Sequence, residues 1–335
     1  MSIRPVQTAM VMAAGLGTRM RPFTDEVAKA VLPVLGVPLA QYVVDALSAA
    51  GVRKFVANIH HGPKNTRAGL QKLEQIGSDF VISDESSLLM GSAGGLKKAE
   101  PHFREGPFFY ANADVLSDID WSALAVTHHK LREQQGVILT MTLSPGLTNG
   151  EKYRQVLYDE KTNLVTGLGG PVQGKPFFAS AAVLDRETLA GLPQGPSDFI
   201  KDILEPAIQR KQVGVYIHRG IWFDIGTPAQ WLNTHVEMMN LLEKGTLPGP
   251  AGALWRKRIE ALNRRIGKTI WVSKDSPRTL STKDWVGPCY WSSEGKVPGP
   301  SPFGPRAILY GSPPRHTPRN GIGSQGKWVD IDKPS

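Results

Sequence analysis

Met12 to Val34, MAAGLGTRMRPFTDEVAKAVLPV, places a glycine turn and two cations directly behind an apolar run, Val6 to Ala14, that reads as a buried strand. Gly15 and Gly17 open the turn, and Arg19 and Lys29 follow it. Glycines let backbone N–H groups approach phosphate oxygens without a Cβ in the way, and a guanidinium plus an ammonium neutralise charge that builds up in transfer. The order therefore suits a polyphosphate. Two familiar phosphate loops are excluded by spacing: Gly17 is followed by Thr18 and Arg19 where a P-loop needs Gly-Lys-Ser/Thr, and Met20 stands where the dinucleotide fingerprint needs its third glycine. By itself the Gly-Leu-Gly is also what any tight strand-to-helix connection would use.

The longer stretch resembles the signature of the sugar-1-phosphate nucleotidyltransferases, also called nucleotide-sugar pyrophosphorylases. That signature is similar to Leu-Ala-Ala-Gly-x-Gly-Thr-Arg-x-x-Pro-Leu-Thr, then Pro-Lys-Pro-Leu and Pro-Val. Ala13, Ala14, Gly15, Gly17, Thr18, Arg19, Pro22, Thr24, Lys29, Pro33 and Val34 occur here in that order and spacing. The chain departs from it at Ala28 and Ala30, where the family usually has prolines around the lysine, so a less rigid lysine loop is expected.

Beyond the signature, Leu39, Tyr42, Val43, Ala46, Leu47 and Ala50 recur at helical steps and stop at Gly51. Lys54–Ile59, Asp79–Ser83, Phe108–Ala113 and Val137–Leu143 read as strands that alternate with helical segments. The expected fold is α/β, a Rossmann-like, mostly parallel sheet covered by helices, with ligands beyond the carboxyl ends of the strands. Residues 1–245 form the expected catalytic domain. Leu-Pro-Gly-Pro-Ala-Gly from Leu247 closes a helical run over 229–244 and begins a linker and helix, the latter expected over 254–266, within 246–268.

From Thr269 the sequence divides into six-residue units. Leu280, Val286, Tyr310, Ile322 and Trp328 share one phase, with Gly287, Gly299, Gly311 and Gly323 behind it, while Ser292, Pro298, Gly304 and His316 break it. Hexapeptide repeats mark parallel β-helices, and a left-handed one follows the catalytic domain in many members of the family. Residues 269–335 are accordingly expected to form a smaller, degenerate left-handed parallel β-helix, or a partly disordered Pro- and Gly-rich tail.

The 335 residues, 41% hydrophobic, suffice for a large domain plus a smaller one. No apolar run reaches membrane-spanning length and no secretion pattern opens the chain, so a cytoplasmic protein without a membrane span is expected. Cys289 is the single cysteine, which excludes an intrachain disulfide and a cysteine-built zinc site. The formal charge of +9 arises wholly after residue 250, where 15 Lys/Arg face 6 Asp/Glu against 24 and 24 before it. Those cations are scattered among Pro, Gly and Trp, apart from Arg256-Lys257-Arg258 and Arg264-Arg265, which read as a solvated helix face. Nucleic acid is not expected as a partner; a homo-oligomer is.

The resemblance also implies site residues. Asp114, in Tyr-Ala-Asn-Ala-Asp-Val at a strand end, and Asp224, in Gly-Ile-Trp-Phe-Asp-Ile-Gly-Thr-Pro (220–228), correspond to the two metal-binding carboxylates, and the implied cofactor is Mg²⁺. Ala113 replaces the family's glycine. Arg19 and Lys29 are the implied catalytic cations. Ala14, Gly15, Gly17 and Thr18 correspond to the phosphate turn, and Gly91, Ser92 and Gly94 of Leu-Met-Gly-Ser-Ala-Gly-Gly-Leu (89–96) to the segment against the nucleobase. That segment is equally a helix N-terminus capped by Ser92.

The sugar side is less defined, because the family's Glu-Lys-Pro is replaced by GLGGPVQGKP over Gly167 to Pro176. Lys175 is the candidate for the sugar phosphate, with Lys152 and Arg154 as rivals, and Asn112, Asn149 and Glu151 for the sugar. The implied substrates are an NTP and a sugar 1-phosphate. GTP with mannose 1-phosphate comes first, then uridylyl transfer to glucose 1-phosphate or an amino-sugar 1-phosphate. Outside catalysis stands a non-catalytic nucleotide-sugar-binding regulatory protein.

Overall fold

A computed structural model describes residues 5–73, 79–146, 153–245, 247–266, 270–274, 289–292, 306–310, 320–324 and 327–330. In chain order the principal elements are β1 (Thr8–Met12), α1 (Leu39–Ala49), β2 (Lys54–Ile59), α2 (Pro63–Gln71), β3 (Asp79–Asp84), α3 (Gly91–Ala99), β4 (Phe108–Asn112), β5 (Val115–Ser117) and α4 (Trp121–Gln135). There follow β6 (Leu139–Ser144), β7 (Tyr153–Asp159), β8 (Leu164–Val172), β9 (Phe177–Leu184), a π-helical stretch Phe199–Leu204 leading into α5 (Glu205–Gln209), β10 (Val213–Ile217), β11 (Trp222–Asp224), α6 (Pro228–Glu243) and α7 (Gly252–Leu262).

Nine strands form one sheet in the order β3-β2-β1-β4-β9-β6-β10-β8-β7. The expected parallel α/β arrangement is carried by β3, β2, β1 and β4, which pair in parallel, and again by β6 with β10; β9, β8 and β7 pair antiparallel. Strand side chains alternate between faces, and helices cover both sides, so strands such as Thr8–Met12 read as continuous apolar runs. Ala9 and Val11 enter one core with Tyr42, Phe55 and Trp231, while Met10 enters the other with Phe108, Leu139 and Ile203. Ala13 lies outside the strand because its amide leaves the ladder and donates to Asn58 Oδ1 at 2.8 Å. That departure turns the chain toward the ligand crevice.

The last helix is shorter than its sequence suggests. α7 ends at Leu262, where Asn263 turns to extended backbone and its Nδ2 donates to the carbonyls of Ile259 and Leu35, both at 2.8 Å. Asn263–Ile266 is therefore a strand, β12, and not the end of a helix. α7 packs back on the first helix: Trp255 Nε1 donates to Tyr42 O at 3.1 Å, and Arg258 holds the buried Asp45 carboxylate in two bonds of 2.6 and 2.9 Å.

β12 pairs antiparallel with β13 (Ile270–Ser273), and β13, β14 (Cys289–Ser292), β15 (Arg306–Tyr310) and β16 (Asn320–Ser324) pair in parallel, with β17 (Lys327–Asp330) antiparallel at the edge. Tyr290 pairs with Ile308, a step of 18 that equals three six-residue units, and Ile270 with Cys289, a step of 19 that exceeds them by one. Ile308 pairs with Ile322, a step of 14 that falls short of them.

Candidate active site

The glycine turn is held by its own surroundings. Gly17 has φ +62°, a left-handed conformation that favours glycine, and Thr24 Oγ1 donates to Gly17 O at 2.7 Å. A Cβ on Gly17 would lie 3.1 Å from Thr24 Cγ2 and 3.2 Å from Lys29 Cγ, so the lysine stem runs beside the turn.

Lys29 Nζ donates to Asp114 Oδ2. Asp114 follows β4, and its neighbour Ala113 donates its amide to Met12 O at 3.0 Å, which ties the ends of β1 and β4 together. The Ile225 amide donates to Asp114 O at 3.1 Å, and β5 pairs antiparallel with β11 so that Asp224 stands opposite Val115. Two carboxylates far apart in sequence thus share one crevice. Burial, and after it the Asp114 charge, push the Asp224 carboxyl above the usual carboxylate range; Lys29, Arg19 and a hydrogen bond from the Tyr153 hydroxyl oppose that shift. Tyr153 Oη lies 3.3 Å from Asp224 Oδ2, with its ring stacked on Phe177 and edge-on to Trp222. Arg19 reaches the same corner: a Cβ on Gly226 would be 3.0 Å from its Nη2. Thr227 caps α6, accepting from the Gln230 amide at 3.2 Å.

A cavity of about 320 Å³ opens in front of these groups, lined among others by Ala14, Gly15, Lys29, Leu89, Gly91, Ser92, Tyr110, Asn112 and Asp114. Its walls are linked by a buried relay. Ala13 N–H donates to Asn58 Oδ1, Asn58 Nδ2 donates to Glu85 Oε1 at 2.8 Å, and Met90 N–H donates to Glu85 Oε2 at 3.2 Å. Burial raises the Glu85 carboxyl above its ordinary range, and these donors oppose the shift. A Cβ on Gly95 would meet Glu85 Oε1 at 2.8 Å, so glycine is the residue that fits.

The sequence-expected residues separate accordingly. Ala14, Gly15, Lys29, Gly91, Ser92, Asn112 and Asp114 line the cavity; Arg19 and Asp224 stand beside it, and Gly17 and Thr18 shape the turn behind its wall. Gly94 is not brought to the cavity. Its amide donates to Ser197 O at 3.3 Å, and a Cβ there would lie 2.4 Å from Gly195 O, so it faces the 195–197 segment. Ser92 does not cap α3, which begins at Gly91; its Oγ accepts from the Phe199 amide at 2.9 Å. Lys175 is not among the cavity's lining residues and sits in the turn that packs against Gly146. Asn149, Glu151 and Lys152 lie outside the described residues.

Asn58, Glu85, Tyr110 and Tyr153 belong to no motif that marks them in the sequence. The one available signal was Asn58, a lone amide inside the apolar strand KFVANI.

The donor set suits a hard divalent cation. Two carboxylates meet at the crevice edge and repel each other there, and no group of three or more His, Cys, Asp or Glu that could hold a metal exists among the described residues. Carboxylate pairs that leave most positions to water and phosphate oxygens are typical of Mg²⁺.

Residues 8–240 match the sequence profile of the family described as Nucleotidyl transferase. The chain belongs to that nucleotidyl transferase family. A mannose-1-phosphate guanyltransferase from Eremothecium gossypii is 28% identical over 242 residues, covering 70% of this chain and 65% of that protein. An N-acetylmuramate alpha-1-phosphate uridylyltransferase from Neisseria meningitidis serogroup B is 29% identical over 219 residues, covering 65% of this chain and 93% of that protein. Among solved structures, the inositol-1-phosphate CTP transferase from T. maritima superposes with a TM-score of 0.57 at 20% identity, covering 68% of this chain and 93% of the other. That likeness is one of fold. Among the described residues no helix is long and apolar enough to cross a membrane.

Proposed function

We propose that this nucleotidyl transferase family member joins an NTP to a sugar 1-phosphate, releasing pyrophosphate, and that GTP and mannose 1-phosphate are its substrates. The observation that carries this reading is the convergence of Asp114, Asp224, Lys29 and Arg19 on one cavity bounded by the glycine turn and the Gly91 segment.

A sugar-phosphate oxygen forms the new bond to the α-phosphorus as the bond to the bridging oxygen of pyrophosphate breaks, so no covalent intermediate with the protein is required. Backbone amides of the glycine turn and Arg19 receive the charge that grows on the leaving pyrophosphate. Lys29 orients the phosphates beside Asp114. Asp114 and Asp224 would hold Mg²⁺, which would supply Lewis-acid neutralisation of phosphate charge. Tyr153 fixes the Asp224 carboxylate from behind.

A second reading, uridylyl transfer to an amino-sugar 1-phosphate, is favoured by the uridylyltransferase relative, nearly all of whose length this chain covers. Residues 1–245 would be the catalytic unit, 246–268 its linker and 269–335 an assembly region that makes a homo-oligomer acting in the cytoplasm. Arg154, on β7, is the described candidate for the sugar phosphate; Lys175, in the β8–β9 turn and outside the cavity's lining, is read as a surface residue.

A pyrophosphate-release screen of four NTPs against a panel of sugar 1-phosphates, with Mg²⁺ and with EDTA, tests the proposal. GTP with mannose 1-phosphate should give the highest turnover and EDTA should abolish it. Tight nucleotide-sugar binding with no pyrophosphate from any pair would mean a regulatory protein instead.

A further inference from the structure

The lysine loop lacks prolines beside Lys29, yet the lysine is firmly placed, and the structure shows a different support. Ala28 N–H donates to Thr66 Oγ1 at 2.9 Å, and the same hydroxyl donates to His61 O at 2.9 Å. Ala28 is 1% exposed and Thr66 0%, so the Ala28 amide has no water as a substitute, while the bond to His61 O is part-buried. α2 is fitted along the loop on both sides of that point. His61 Nε2 bonds Thr24 O, a Cβ on Gly62 would lie 2.1 Å from Glu26 O, and one on Gly69 would lie 2.6 Å from Val31 Cγ1. Ala28 has φ −71° and ψ 153°, close to what a proline ring imposes, but a proline there would have no amide to give.

We propose that Thr66 is a positioning residue for Lys29: by accepting the Ala28 amide, its hydroxyl holds the backbone from which the lysine reaches Asp114. The inference rests on the transferase reading above for its kinetic readout. Thr66→Val keeps the shape and removes both bonds, leaving the buried Ala28 amide without its acceptor.

The test compares wild type, Thr66→Val, Thr66→Ser, Ala28→Pro and the double variant Ala28→Pro/Thr66→Val in the full chain. Thr66→Val should lower kcat about tenfold to hundredfold, as a misplaced catalytic group does, with KM for the NTP changed less than about threefold. Thr66→Ser restores the hydroxyl and should stay within about threefold of wild type. In the double variant the proline removes the orphaned amide and fixes φ, so kcat should return to within about fivefold of wild type. Amide exchange of the peptide over 24–32 should speed up in Thr66→Val and remain slow in Thr66→Ser.

Wild-type kcat in Thr66→Val, or a double variant no more active than Thr66→Val, would overturn the proposal. Should Thr66→Val fail to fold, Thr66→Ala decides by the same readouts: a kcat loss of about tenfold or more with faster exchange over 24–32 supports the proposal, and a kcat within about threefold of wild type refutes it. Were the wild type to release no pyrophosphate with any pair, the transferase reading would fall, and unchanged exchange over 24–32 in Thr66→Val would separately refute the role of Thr66.

Discussion

On the glycine-turn side of the cavity, Gly17, Ala28, Asn58 and Glu85 are tied by buried or part-buried hydrogen bonds, whereas along β7 and β8 the side chains are mostly half-buried or exposed, Leu157 at 43% and Val172 at 40%. β8 shifts register twice against β7, while β1 runs in unbroken parallel register with β2 and β4. The first wall is built to hold groups in one geometry, as in-line phosphoryl chemistry demands. The second is less tightly packed, and under the proposed function it is where the sugar would be distinguished.

This contrast can be broken or sharpened by variants on each wall. The largest effect belongs to the carboxylates: Asp114→Asn or Asp224→Asn should lower kcat by about a thousandfold, as loss of several kcal/mol of metal-assisted stabilisation implies. Retention of Mg²⁺-dependent turnover in either would sever the crevice from the chemistry. Asn58→Leu leaves the buried Ala13 amide without its acceptor and removes a donor from Glu85, and should reduce unfolding free energy by about 2–3 kcal/mol, measured in urea, with turnover falling in parallel.

A third effect is set by pH. Burial lowers the His235 pKa from 6.5 to about 4, so between those values the unfolded chain binds the proton and the folded chain does not. Stability is fully present above 6.5 and lost as pH falls toward 4, by at most about 1.4 kcal/mol per pH unit. Unfolding curves at pH 7.5 and 5 should show this slope, and His235→Gln should flatten it. The smallest effect is expected on the open wall, where Lys175→Ala should change KM for the sugar phosphate by about twofold or less, as for an ordinary surface residue. A tenfold rise would move the sugar-phosphate site to the β8–β9 turn and erase much of the contrast.

The same two walls differ in how far they could be read in the sequence. The meeting of Gly17, Lys29, Asp114 and Asp224 at one crevice was legible because each sits in a short motif whose local geometry places it. The braces behind them were not, since Asn58 meets Glu85 and Ala28 meets Thr66 only after distant segments fold together. Gly94 was misplaced for the same reason: what it faces is the 195–197 segment, about a hundred residues on. α7 stops early because Asn263 is drawn to Leu35 O, a tertiary bond that helical spacing does not encode. On the β7–β8 side the altered Glu-Lys-Pro region left no motif to read.

The central claim is that Lys29, aimed from its braced loop at Asp114, drives nucleotidyl transfer. Single-turnover pyrophosphate release by wild type and Lys29→Ala, with the best substrate pair and Mg²⁺, tests it most directly. Loss of this transition-state donor should slow release about a hundredfold or more with the fold intact by circular dichroism. Near-normal release by the variant would contradict the account.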